Sequence, residues 1–139
     1  MSKTALYALL ALTMTALFVL THYTLNESAS EPVGLYRTTG EPISRDRLVL
    51  LRNPLKRLVG MPGDTICTTP EGSYINGKLI PNSGIPAGSP YQHYPFGTFK
   101  LQPDQYWTLG NHALSYDSRY EGPIPGSLIA STVNPVWTR

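Results

Sequence analysis

The sequence predicts a mainly β protein, a single antiparallel β domain carried behind one N-terminal transmembrane helix. Three observations lead there. Residues Thr4 to Tyr23 carry no fully charged side chain. The 13 Pro and 12 Gly are scattered along the rest of the 139-residue chain, as suits short strands joined by tight turns. Asn76-Gly77 sits at the centre of Ser73 to Ile80, the strongest short hairpin signal a sequence carries.

The apolar run comes first. At about 1.5 Å per residue, a helix of this length spans about 30 Å, the thickness of a bilayer's hydrocarbon core. Lys3 precedes it, and Glu27 and Glu31 follow. The positive-inside rule then leaves residues 1–3 as a cytoplasmic tip and 4–23 as a signal anchor. Residues 24–139 form the β domain across the membrane, periplasmic in a bacterium with its inner membrane as the single-pass host. A cleavable signal peptide is the rival reading, with Ser28-Ala29 as its cut, but the apolar run exceeds the usual h-region.

Beyond the anchor, Arg47 to Arg52 and Lys56 to Gly60 read as strands, with Asn53-Pro54 turning between them. Met61-Pro62-Gly63-Asp64 reads as a type II turn, and Asp64 to Thr68 as the returning strand. Asn82 to Pro95 is a Gly/Pro/Ser-rich loop. Gln105 to Gly110 and Leu128 to Thr132 read as further strands. No amphipathic helix is expected after residue 30.

Composition narrows the function. Net charge is +2, 14% of residues are charged, and no basic stripe exists, so nucleic acid is not an expected partner. The lone Cys67 permits neither an intramolecular disulfide nor a CxxC metal site, and reads as a buried strand residue. No two histidines have metal-ligand spacing, so neither metal nor small-molecule cofactor is expected. The apolar run makes the bilayer the expected partner.

Of four lysines, Lys56 stands apart. Leu55, Leu58 and Val59 surround it. In a strand it shares a face with Leu58 while Arg57 points away. Desolvation on such a face lowers a lysine pKa toward the range of a useful base. Taken alone, a snorkelling surface lysine is the favoured reading. In Asn26-Glu-Ser-Ala-Ser-Glu-Pro-Val-Gly-Leu-Tyr36, an extended backbone puts Ser28 and Ser30 on one face. One hydroxyl can then attack while the other donates to a developing oxyanion. Read without the rest of the chain, a plain juxtamembrane linker is favoured there. Ser30, His112 and Asp117 also remain open as a triad.

Lys56-Arg-Leu-Val-Gly-Met-Pro-Gly-Asp64 resembles the lysine box of type I signal peptidases. Gly110-Asn-His-Ala-Leu-Ser-Tyr-Asp-Ser-Arg-Tyr-Glu-Gly122 resembles their last conserved box. The Ser-x-Pro-x-Gly-Leu-Tyr ending at Tyr36 resembles the serine box of the conjugative-transfer, pilin-processing subgroup of TraF type. The resemblance implies a Ser/Lys serine endopeptidase of signal-peptidase fold that processes a membrane-bound precursor, a pilin or preprotein. It implies Ser30 as nucleophile, Lys56 as base, and Ser28 as oxyanion donor beside the Ser30 backbone N–H. Ser115 would orient the lysine, and Asp117 and Arg119 would be a supporting ion pair. Three departures stand out: Pro32 two residues after the serine, Asn111 where Asp is usual, and a short Lys56–Gly110 interval with little room for a second β domain. General secretory signal cleavage and a non-catalytic channel module are the alternative functions. Cyclisation of the pilin is an alternative end to the same chemistry.

Overall fold

The computed structural model describes residues 1–52 and 54–139. Helix α1 runs Lys3–His22, with the Ser2 hydroxyl accepting the Ala5 N–H at its start. None of its residues is buried within the molecule. It is long and apolar enough to cross a membrane. An apolar, lipid-length helix with none of its residues buried has its apolar surface left for a bilayer to cover.

Eleven strands follow among the described residues, and every pairing among them is antiparallel. They are β1 Tyr23–Asn26, β2 Gly34–Thr39, β3 Leu48–Leu51, β4 Leu55–Gly60, β5 Thr65–Thr69, β6 Gly72–Ile75, β7 Lys78–Leu79, β8 Gly97–Lys100, β9 Gln105–Leu109, β10 Ile124–Pro125 and β11 Ile129–Thr138. The larger sheet has the order β1-β2-β11-β3-β4-β9-β10. The smaller has the order β7-β6-β5-β8. Val59, Ile66, Ile75, Leu101, Trp107 and Leu109 pack together where strands of the two sheets meet. Tyr36, Leu55 and Val133 form a second cluster under β2, β4 and β11.

The hairpin at Asn76-Gly77 forms as expected, with φ of 51° and 83°, the pair of positive angles a type I′ turn needs. The Met61–Asp64 turn closes with the Asp64 N–H on the Met61 carbonyl at 3.0 Å. Asn53 of the expected Asn53-Pro54 turn lies outside the described residues.

Five expectations change. The last strand is longer than Leu128–Thr132 and lies between β2 and β3 in the larger sheet. Its Pro135 is accommodated by a register shift between Pro135 and Trp137. The Asn26–Tyr36 stretch is not extended throughout. Residues 27–33 turn between β1 and β2, which pair from Tyr23↔Arg37 to Asn26↔Gly34. The interval between Lys56 and Gly110 does hold a second small sheet, because its strands are only two to five residues long. Cys67 is half-buried. Its neighbours Ile66 and Thr68 take the inward face of β5, leaving Cys67 on the other. A short helix α2, Ser118–Glu121, was also not expected.

Candidate active site

Lys56 lies on β4, an interior strand of the larger sheet, and is 2% exposed. It shares the inward face with Leu58, which is 0% exposed, while Arg57 is half-buried on the other side. Its Nζ donates to Ser30 Oγ at 2.8 Å and to Ser115 Oγ at 2.5 Å. The two hydroxyls are 3.0 Å apart, closing a triangle of polar atoms. Burial pushes the Lys56 pKa below that of an ordinary lysine. Asp117 opposes that effect most, Arg119 adds to it, and Glu121 and Glu31 oppose it. Among the described residues no carboxylate forms an ion pair with Nζ. The lysine is therefore desolvated and hydrogen-bonded by neutral groups alone.

The sequence brings these atoms together through two tight segments. Ser30 sits in the turn between β1 and β2. Asn26, 4% exposed, holds that turn from inside, its amide donating to the carbonyls of Ser28, Glu31 and Pro32 at 3.0–3.1 Å. The Tyr36 hydroxyl adds a 2.6 Å bond to the Pro32 carbonyl. Ser115 comes from the loop after β9. There the Asn111 N–H donates to the Ser30 carbonyl at 2.5 Å. That contact is made by backbone, so Asn in place of the usual Asp leaves it intact. Gly110 is required at this crossing, since a Cβ would collide with Ser115 Oγ and come within 3.2 Å of Ser30 Cβ.

Asp117 and Arg119 are both buried, at 0% and 2%. Asp117 accepts Arg119 Nη2 at 2.7 Å and Nε at 2.8 Å. It also accepts the Gly110 N–H at 2.8 Å and the Arg119 N–H at 3.1 Å, the latter capping α2. The guanidinium then reaches five carbonyls, those of Asn82, Gly84, His112, Ala113 and Ser115. Every donor and acceptor of the pair is engaged, which is the condition for burying an ion pair without a heavy penalty.

The other expected residues divide. Ser28 is half-buried near the turn, but its hydroxyl donates to Asn26 Oδ1 at 2.9 Å and its backbone N–H bonds the same oxygen. It is therefore held by Asn26 and shows no bond to Ser30. His112 is exposed, and its Nδ1 accepts the Leu114 N–H at 3.1 Å. Asp117 gives its oxygens to Arg119 and Gly110, so the His112–Asp117 half of a triad does not assemble. His93 is half-buried and stacked on Phe96 at 3.9 Å, where an exposed loop residue was expected. Asn26 was missed as a functional residue. An Asx side chain opening a turn is the signal for it.

One cavity reaches the triangle at Lys56, and a second is lined by sequence neighbours of Ser30. One, of about 250 Å³, is lined by Lys56 together with Leu51, Pro54, Tyr116, Ile124 and Leu128. The other, of about 310 Å³, is lined by Ala29 and Glu31, the residues on either side of Ser30, and by Asn111 and His112.

A hydroxyl held 2.8 Å from a buried, hydrogen-bonded amine is the geometry of a nucleophile beside its base. The family model for signal peptidase, peptidase S26, matches residues 1–138.

The chain belongs to that family.

Among its relatives, the plasmid transfer protein TraF of Escherichia coli is 26% identical over 145 residues, covering 82% of each chain. The conjugal transfer protein TraF of Agrobacterium tumefaciens is 27% identical over 155 residues, covering 90% of this chain and 88% of that one. A probable signal peptidase I-2 of Synechocystis is 39% identical over 72 residues. That match covers 51% of this chain and 32% of the relative, so the chain spans about a third of that protein's length. A crystal structure of a signal peptidase I from Enterococcus faecalis superposes with a TM-score of 0.48 at 22% identity, over 69% of this chain and 100% of that one. Membership makes the chain peptidase-like, with a protein as its substrate, and the apolar helix accords with a membrane-anchored member.

Proposed function

We propose that this peptidase is a Ser/Lys endopeptidase of the bacterial inner membrane that cuts a membrane-bound precursor, a conjugative pilin, on the periplasmic side. The observation that carries the reading is the Lys56 Nζ lying 2.8 Å from Ser30 Oγ and buried. Lys56, when neutral, takes the Ser30 proton as Oγ attacks the scissile carbonyl. It then gives that proton to the leaving amine, and an ester on Ser30 remains. Ser115 fixes the Nζ so that its lone pair meets Ser30. Asp117 and Arg119 hold the loop that carries Ser115. For Ser28 to join the Ser30 N–H on the oxyanion, its hydroxyl must turn from Asn26. Pro32 two residues after the serine and the TraF relatives, which cover most of the chain, favour a conjugation substrate. The anchor keeps the cleft at the membrane surface, where such a precursor emerges, and so raises its effective concentration.

General signal-peptide removal is the second reading, favoured by the Synechocystis relative's identity across the matched segment. Intact mass spectrometry of the candidate pilin separates the cases. Cells carrying wild-type protein should shorten it, and cells carrying Ser30→Ala or Lys56→Ala should not. A product one water lighter than the linear fragment means ring closure, and the linear mass means hydrolysis. Processing that survives both substitutions contradicts the assignment.

A further inference from the structure

A cavity of about 400 Å³ lies where the last turn of α1 meets the C-terminal half of β2. The proposed chemistry makes no use of it. Phe18, His22 and Tyr23 line it from the helix end, and Arg37, Thr38 and Glu41 from the sheet. Its walls are tied together. The His22 ring stacks on Phe18 at 4.3 Å, and His22 Nδ1 bonds the Phe18 carbonyl at 2.9 Å. Thr38 Oγ1 donates to the His22 carbonyl at 3.1 Å, which joins β2 to the helix end. The Thr21 hydroxyl donates to the Leu17 carbonyl at 2.8 Å, and the Tyr23 N–H to that of Val19. The carbonyls that a helix leaves open at its C-terminus are thus met from within the chain, and no cation is needed to fill them.

The charged side chains of the lining leave one cation over. Glu41 pairs with Arg47. Arg37 is exposed and pairs with no carboxylate among the described residues. It stands directly opposite Tyr23 in the β1–β2 register, so the two side chains share one face of the sheet. A guanidinium and a phenol hydroxyl on one cavity form a donor set for an anion with several oxygens.

Position identifies that anion. Tyr23 caps a 20-residue helix, and such a helix spans about 30 Å, the hydrocarbon thickness of a bilayer. With Lys3 at one face of the bilayer, His22 and Tyr23 reach the other. The anions fixed at that depth are the phosphodiesters of the lipids themselves. We propose that the cavity beside Arg37 binds the phosphate of an anionic lipid headgroup. The planar fork of Arg37 takes two phosphate oxygens and the Tyr23 hydroxyl donates to a third, while the acyl chains run along α1 past Phe18. A zwitterionic choline lipid carries its own counter-charge and gains less from Arg37. The inference rests on α1 crossing the bilayer and is independent of the Ser/Lys chemistry.

Such a lipid bears on the nucleophile through β1 and β2. The two strands pair from Tyr23↔Arg37 at one end to Asn26↔Gly34 at the other, and Asn26 holds the turn that carries Ser30. Three residues of strand, about 10 Å, separate the two ends. A headgroup held at Arg37 therefore sets where Ser30 stands relative to the membrane surface.

The test is native mass spectrometry of the full-length protein in detergent, titrated with phosphatidylglycerol. Peptidase activity does not enter the readout. Wild type should bind phosphatidylglycerol in preference to phosphatidylcholine. Arg37→Gln should weaken that binding about tenfold or more, as the loss of a charged hydrogen bond implies. Arg37→Lys keeps the charge and loses the fork, so it should fall between, and it supplies the comparison if the Gln variant does not fold. Lys100→Gln removes an equal charge from an exposed position on β8 and should bind as wild type does. Inorganic phosphate at millimolar concentration should not displace the lipid. Displacement would make a soluble phosphate the ligand and overturn the lipid assignment. No preference for phosphatidylglycerol in the wild type, unchanged binding in Arg37→Gln, or an equal loss in Lys100→Gln overturns the site.

Discussion

Lys56 and Arg119 are equally buried cations in the same site, and they are treated in opposite ways. Arg119 is met by a bidentate carboxylate and five carbonyls, so its charge is fully compensated. Lys56 is met only by two hydroxyls. The difference separates a charge that is fully compensated from one that is not. A buried ion pair with every lone pair filled fixes a loop and resists change. A buried ammonium with neutral partners is poised to lose its proton.

The sharpest way to break the comparison is to make the two cations alike. Lys56→Arg keeps a charge of similar reach but cannot deprotonate. Precursor processing should fall by about 10³-fold or more, in the range of a lost general base and nucleophile activation. Circular dichroism and thermal melting should stay near wild type. Processing within tenfold of wild type would remove Lys56 from the chemistry.

The mirror experiment is Arg119→Ala. It strands Asp117 without its counter-ion and frees five carbonyls. The expected cost is about 3–5 kcal/mol, a large share of a domain's total stability. Chemical denaturation of the detergent-solubilised protein measures it. Activity should fall in step with the folded fraction. A stable but inactive variant would mean that Arg119 does more than hold the loop.

A milder change is Ser115→Ala. It removes one of the two hydroxyls on Nζ and leaves the fold standing. Turnover should drop by about 10²-fold, as expected when a base loses its orientation. The ammonium form also loses an acceptor, so the acidic limb of the pH–rate profile should move to lower pH. A rate loss with an unmoved limb would assign Ser115 to packing.

The smallest effect is the pH limb of the wild type itself. The folded pKa of Lys56 is lowered, so the unfolded chain binds more protons between that value and about 10.4. Activity should therefore rise with pH through the folded Lys56 pKa, and stability should rise over the same window up to the ordinary lysine range. Activity that falls as pH rises through this range would contradict the base assignment.

Much of this contrast was legible in the sequence. Lys56 was marked by apolar neighbours within four residues, and strand alternation was enough to place it inward. The Asn76-Gly77 hairpin was legible because its turn chemistry is local. What was not legible depends on distant segments. Ser30 and Ser28 do not share an extended face, because Asn26 bends the chain around its own side chain. Glu31 looked like a polar linker residue. It is buried because the loop after β9 packs over the turn that carries Ser30, with Asn111 bonded to Ser30. Helix α2 is four residues long, too short for any periodic signal, and exists because Asp117 caps it. The length of β11 was hidden by Pro135, which a strand reading takes as a stop.

The central claim is that Ser30 is activated by Lys56, and site-resolved covalent labelling tests it most directly. The full-length protein in detergent would be treated with a serine-reactive fluorophosphonate and digested, and the labelled peptide identified by mass spectrometry. The account expects the label on Ser30, its rate rising with pH, and loss of labelling in Lys56→Ala with the fold retained. A label on another serine, or Ser30 labelling at an unchanged rate in Lys56→Ala, would contradict it.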